Sequence, residues 1–250
     1  MGEYEQARAV QLRALAIWEA TLEPDHPKLA FSLSNLGTIY DAAGEYDESL
    51  PLYQRAAASL ERTLGPEHPD LALVLNNLAA AHRATGDATR AAALYRRALA
   101  IAEKANGPDH PDVAMALANL GDVLLEAGDA AAARAMQERA LDIRERMLGA
   151  DHHAVASTLG SLAKVVLAQG DVDGAIVRLE RAVQIYERID GVQEREAEFH
   201  FALARALDRR GRDRARALRL AQQARDAWRD AGGRVVELAE VEAWLRERGG

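Results

Sequence analysis

Apolar residues recur along this chain at alternating steps of three and four, the spacing that gathers them on one side of an α-helix. The stretch HPDLALVLNNLAAAHRATG, residues 68–86, carries one such stripe, and DATRAAALYRRALAIAEKANG, residues 87–107, carries a second. A glycine ends each, so the pattern predicts two helices joined by a tight turn. The same arrangement returns along the sequence. His26, His68, His110 and His152 lie 42 residues apart, as do Gly2, Gly44, Gly86, Gly128 and Gly170. The 42-residue step also carries Ala14, Ala56, Ala98, Ala140, Ala182 and Ala224, and the small residues Ala7, Ser49, Ala91, Ala133, Ala175 and Ala217. Residues without bulk at fixed registers mark where helices approach closely.

Proline follows His26, His68 and His110, where the first turn of a helix has no use for an N–H. Gly65 and Gly107 fall where a C-terminal cap takes positive φ, and the glycines of AAGEY, ATGDA, EAGDA and AQGDV turn the chain inside each pair. One helix pair cannot bury its apolar face alone, so successive pairs must stack. The expectation is an all-α fold, a right-handed α-solenoid (superhelix) of stacked antiparallel helix pairs with about 12 helices. A single solenoid over 1–250 then consists of a lone helix at 3–22, pairs at 26–63, 68–105, 110–147, 152–189 and 192–231, and a capping helix at 234–248. The fifth pair is degenerate: Gly211 follows Gly170 by 41 residues, the His-Pro signature is gone, and GRDRARALR replaces the usual turn. The opening string GEYEQA matches GEYDES at 44–49 in kind, so the reading begins mid-repeat and the first helix is expected to leave an apolar face uncovered. Trp244 and Leu245 give the last helix the look of a cap.

Composition narrows the function. Apolar residues make up 49% of the chain and aromatic ones only 5%, a mix suited to alanine-rich, close-packed helices. A net charge of -8 argues against broad attraction to nucleic acid or anionic lipid. The local run Arg205, Arg209, Arg210, Arg212, Arg214, Arg216 and Arg219 is broken by Asp208 and Asp213 and lacks interleaved aromatics for base stacking, so no nucleic-acid partner is expected. The absence of cysteine excludes disulfides and thiolate sites without deciding the compartment; with no basic-then-apolar leader and no long apolar run, a cytoplasmic protein with no membrane partner is the expectation. No phosphate-binding loop, GxSxG or HExxH string occurs, so neither an enzyme nor a cofactor is expected. The histidines at the 42-residue step, and Asp151-His152-His153, sit in equivalent loops of successive pairs; a structural role at helix starts is expected, and no metal. Most carboxylates stand at charge-pair spacing, such as Glu187 beside Arg188 and Glu242 four before Arg246.

The segment LGPEHPDLALVLNNLAAAHRATGDATRAAALYRRALAIAEK resembles the 42-residue tetratricopeptide repeats of kinesin light chain, and the likeness is strongest from 24 to 189. It is carried by the pairs Leu36-Gly37, Leu78-Ala79, Leu120-Gly121 and Leu162-Ala163, by the turn glycines and by the later alanines. The tail ALARALDRRGRDRARALRLAQQARDAW is similar to tetratricopeptide regions of some bacterial serine/threonine kinases. The resemblance implies a protein/peptide-binding scaffold that holds an extended peptide in a concave groove. It also implies that an asparagine before the marker leucine, here Asn35, Asn77 and Asn119, bonds the peptide backbone; Ser161 and Ala202 depart from this. Bonding of these amides within the scaffold is the alternative. By the same alignment Phe31, Ser34, Thr38 and Asp41, then Leu73, Asn76, Ala80 and Arg83, then Met115, Asp122 and Glu126 face inward, followed by Lys164, Arg205 and Arg209. Such a groove is apolar and acidic in its middle and basic toward the C-terminal end, which suits a ligand bearing a carboxylate there. The alternative function is a regulatory or self-assembling segment of a larger bacterial signalling protein, kinase- or ATPase-linked, with homodimerisation through the uncapped N-terminal end.

Overall fold

A computed structural model of the chain describes residues 2–189, 193–232 and 234–249, apart from the side chains of 2–4 and 193. Among the described residues there are twelve α-helices and no strand, as the periodicity requires. They are α1 (Gly2–Thr21), α2 (Pro27–Ala42), α3 (Tyr46–Leu64), α4 (Pro69–Ala84), α5 (Ala88–Asn106) and α6 (Pro111–Glu126). There follow α7 (Ala130–Leu148), α8 (His153–Ala168), α9 (Val172–Tyr186), α10 (Gln193–Arg210), α11 (Arg214–Ala231) and α12 (Val235–Glu247). The start expected for the fifth pair, at 192, lies outside the described residues. The chain forms two compact units, 1–129 and 130–250, and within each the helices pack chiefly on their neighbours in sequence.

Each repeated histidine starts a helix. The Nδ1 atoms of His26, His68, His110 and His152 accept hydrogen bonds from the backbone N–H of Lys28, Asp70, Asp112 and Ala154 at 3.1, 3.2, 3.2 and 3.1 Å. A helix start leaves several N–H groups without partners, and an imidazole acceptor supplies one. The proline that follows in three of the four repeats removes another orphan donor, because it has none. Inside the second pair the turn is made by Gly86 at φ +83°, a conformation costly for any side chain, and Asp87 then accepts from the Arg90 N–H at 3.0 Å to start α5.

The small-residue registers lie where helices touch. Ala56, Ala140, Ala182 and Ala224 are fully buried and Ala98 nearly so, and Ser49, Ala91, Ala133, Ala175 and Ala217 fill the companion register just as completely. In the first unit, leucines of α2 and α4 (Leu29, Leu33, Leu36, Leu71 and Leu75) pack with Ala56, Leu60, Ala98 and Ile101 of α3 and α5. In the second, Leu179, Val183, Phe201, Leu207, Leu220, Trp228 and Leu245 form a continuous core from α9 to α12. There Trp228 and Trp244 each stand edge-on to Phe201, with centroids 6.0 Å away. Surface ion pairs repeat with the helices: Arg55, Arg97 and Arg181 reach Glu19, Glu61 and Glu145 of the preceding repeat at 3.2, 2.7 and 2.5 Å. Each is partly exposed and contributes at most about 1 kcal/mol. Burial of the leucine and alanine registers dominates.

His68→Ala removes a cap acceptor and should lower stability by about 0.5–2 kcal/mol, while His68→Asn should retain most of it; chemical denaturation measures both. His82 is buried, and burial pushes its pKa below the ordinary histidine value; Asp87, 3.9 Å away, opposes the shift and Arg90 adds to it. Because the unfolded chain binds this proton more tightly, the contribution is intact above the ordinary value of 6.5 and is lost as pH falls through the lower folded value. His82→Gln should therefore flatten the loss of stability between about pH 7 and pH 5 relative to wild type, and parallel denaturation curves for the two proteins would contradict this.

Candidate functional site

On α2, α4 and α6 the residues Asn35, Asn77 and Asn119 immediately precede Leu36, Leu78 and Leu120, all of which are buried. Adjacent helical residues diverge by about 100°, so burying the leucine leaves the amide at the edge of the packed face. Asn35 is exposed and the other two are half-buried. The Asn77 amide donates to Ser34 Oγ at 3.3 Å, and Asn119 donates to Asn76 Oδ1 at 3.4 Å. Scaffold bonding, the alternative left open by the sequence, thus accounts for one N–H of each. Their amide oxygens accept nothing among the described residues. These bonds also show that the first helices of successive pairs lie side by side in this unit.

The neighbouring positions are less free. The Tyr53 hydroxyl donates to Asp41 Oδ2 at 2.8 Å and lies 3.2 Å from Thr38 Oγ1, whose own proton goes to the Ser34 carbonyl. Burial, reinforced by the Asp41 carboxylate, pushes the Tyr53 pKa upward and keeps the phenol a donor. Asp41 Oδ1 is buried without a hydrogen-bond partner. Arg83 engages Glu126 with two nitrogens at 3.0 and 2.6 Å and approaches Asp122 at 3.6 Å. These bonds raise its pKa and join α4 to α6. Burial pushes the Tyr95 phenol, near this group, up to about 12. Asn76 is buried, Phe31 is half-buried and Ala80 is exposed. Leu73 and Met115 are exposed and line a cleft of about 290 Å³ with Asn76, Ala98 and Asn106.

In the second unit a cleft of about 390 Å³ opens between α8 and α10. Its walls include Ser157, Ser161 and Lys164 from α8, Arg195, Phe199 and Ala202 from α10, and Arg234. α10 comes close because α8 has Gly160 at the crossing; a Cβ there would lie 2.5 Å from the Phe199 ring. Phe199 in turn stacks on Tyr186 at 5.0 Å. Arg234 is held by Glu198 at 2.9 Å and Glu237 at 2.8 Å. Lys164 and Arg195 form no ion pair among the described residues, so the cleft presents two available cations above an aromatic floor. Lys164 stands at a register that the repeat places inward; Arg195, in the degenerate repeat, stands at none of those registers. Arg205 is bound to Glu240 at 2.7 Å and lies over Phe201, while Arg209 borders a shallower cleft beside Trp244. Of the arginine run, Arg210 and Arg216 are paired with Asp173 and Glu180.

Two charge pairs expected from spacing are replaced: Arg188 binds Asp151 at 2.9 Å rather than Glu187, and Glu242 binds Arg229 at 2.7 Å rather than Arg246. Partners distant in sequence are better placed than those nearby along the chain. Glu187, freed of Arg188, lies with Glu196 and His200 of α10, one ligand atom of each being within 4.8 Å of the others. Sequence spacing alone did not bring these three together. Among the described residues no helix is long and apolar enough to cross a membrane.

The model of the tetratricopeptide repeat family matches residues 1–62, 42–104, 70–146 and 127–188. No curated protein sequence matches the chain. Among solved structures, BtubC (BKLC) from P. vanneervenii is similar at 22% identity, with 92% of each chain covered and a TM-score of 0.76, which is a likeness of fold. The putative kinesin light chain of Podosopora anserina, with nearly identical TPR-like repeats, is similar at 26% identity over 84% of this chain and 99% of that one, with a TM-score of 0.68. With helix pairs stacked at a 42-residue step and family matches running through residue 188, the chain belongs to the tetratricopeptide repeat family.

Proposed function

We propose that this chain is a non-catalytic, cytoplasmic scaffold whose first unit grips the backbone of an extended peptide from a partner protein. Tetratricopeptide repeats are generally protein-interaction modules, and the finer reading rests on Asn35, Asn77 and Asn119. Three amides at a 42-residue step along side-by-side helices, each with an unused carbonyl oxygen, match a ligand that offers N–H groups at intervals. A free amide reads peptide backbone without demanding a sequence; Thr38, Asp41, Asn76, Arg83 and Asp122 around them set side-chain preference. The apolar cleft at Leu73 and Met115 adds a place for one apolar side chain. In the second unit Lys164 and Arg195 suit an acidic group, and Arg205, already bound to Glu240, contributes less.

A pull-down from lysate of the source cell, run beside the Asn35→Ala, Asn77→Ala, Asn119→Ala triple variant, tests this reading. The partner should be lost with the triple variant while its circular dichroism stays helical. Each hydrogen bond removed from the scaffold costs only about 0.5–1.5 kcal/mol. Lys164→Glu or Arg195→Glu should weaken a partner that brings an acidic group to the second unit by about tenfold or more, with a marked salt dependence. A partner bound equally by wild type and triple variant would remove the asparagines from the reading.

Self-association is the second reading, and α1 supports it: Val10, Leu12 and Ile17 are 67%, 43% and 60% exposed. Sedimentation of wild type beside Ile17→Glu separates the two, since only self-association through this helix gives a dimer that the variant loses.

A further inference from the structure

The fifth pair places ionisable groups at two registers that are apolar in the preceding repeats, and buries one of them. Leu33, Leu75, Leu117 and Leu159 stand at one register of the first helices, each no more than 4% exposed. The 41-residue step that separates Gly211 from Gly170 carries this register to His200, itself 8% exposed. Leu29, Leu71, Val113 and Val155, equally buried, are carried in the same way to Glu196. Glu196 is only half-buried, but burying the His200 imidazole where leucine packs in the other repeats is costly unless something satisfies it. Among the described residues neither His200 nitrogen makes a hydrogen bond; its nearest partner is Glu196, at 3.6 Å from Nε2.

A third group arrives by the loss of a partner. Glu19, Glu61, Glu145 and Glu187 share one register, and the first three pair with the arginine 36 residues onward. For Glu187 that position holds Gln223, which has no charge to offer. Glu187, at the end of α9, is left beside Glu196 and His200 with no cation. Other acids around them are matched: Glu194 and Glu198 by Arg234, Glu180 by Arg216 and Asp173 by Arg210.

We propose that Glu187, Glu196 and His200 bind a divalent cation of the zinc class, which ties the end of α9 to α10. Zinc at about 2.0–2.1 Å from tetrahedral ligands sets those ligands about 3.4 Å apart. The 3.6 Å edge between His200 and Glu196 already fits, and Glu187, exposed and within 4.8 Å of both, needs only a side-chain rotation to close the set. One imidazole nitrogen with two carboxylate oxygens suits zinc, whereas magnesium and calcium select oxygen-only sets. Three protein ligands leave a fourth position for water or for a donor group of a bound partner. Because the ligands come from two helices, occupancy adds directly to the docking of α10.

The test uses the whole chain, stripped by a chelator and dialysed, with zinc chloride as the probe. Calorimetry should give one ion per chain and thermal melting should rise with zinc; cobalt chloride should give the visible absorption of a tetrahedral Co²⁺ site. His200→Leu restores the residue of the other repeats, so it should fold and melt at or above the metal-free wild type while binding zinc at least tenfold more weakly. Glu187→Gln should also weaken binding at least tenfold, and His153→Asn should leave it unchanged. The proposal is overturned if zinc gives no stoichiometric binding, if His200→Leu binds as wild type does, or if His153→Asn abolishes binding, which would put the ion on the His152–His153 pair. An equal rise in melting with magnesium would also overturn it, since carboxylates alone would then account for the effect.

Discussion

The constraint on which the rest depends is the close approach of helices at the two small-residue registers. Where Ala56, Ala98, Ala140, Ala182 and Ala224 recur, a larger side chain would separate neighbouring helices and open the leucine layers beside them. With those contacts closed, each helix within a unit meets chiefly the helices before and after it, and each unit's core extends as a chain of local contacts. Other features are built on this spacing. The histidine caps fix where α2, α4, α6 and α8 begin, and the burial of a leucine in each then decides which neighbour is left at the surface. Asn35, Asn77 and Asn119 are available because the adjacent leucines are not.

That dependence explains how much was legible in the sequence. Helix count, pairing, turn glycines and buried alanines follow from a period of 42 and a helical stripe, both local properties. The histidines were legible as helix starts for the same reason, since their bonds reach only two residues onward. The candidate binding residues were legible only as positions. That Arg83 is engaged by Glu126, and that Thr38 and Asp41 are tied to Tyr53, depends on rotamers and on contacts 43, 15 and 12 residues away. Arg195, Glu196 and His200 lie on α10, where the step changes to 41 and counting by 42 pairs each residue with the wrong predecessor, so their meeting with Glu187 at the end of α9 was not legible.

Repetition also makes departures informative. In an ordinary globular core a buried histidine has no comparison within its own chain. Here four preceding repeats provide one, and at the register of His200 they agree on leucine. The Tyr53 register shows the milder kind of change: Tyr95 keeps the ring, Gln137 replaces it with an amide and Leu179 with an aliphatic chain, all four buried. Each of those residues fills the same space with similar volume, and none carries a charge. His200 fills apolar space with a group that ionises, Glu196 stands half-buried where the other repeats have Leu or Val, and Gln223 removes the guanidinium that Glu187 would have had. Three changes of polarity converging on one point, in a fold that otherwise repeats its packing, describe a place where satisfying those groups takes precedence over the apolar burial that stabilises every other repeat.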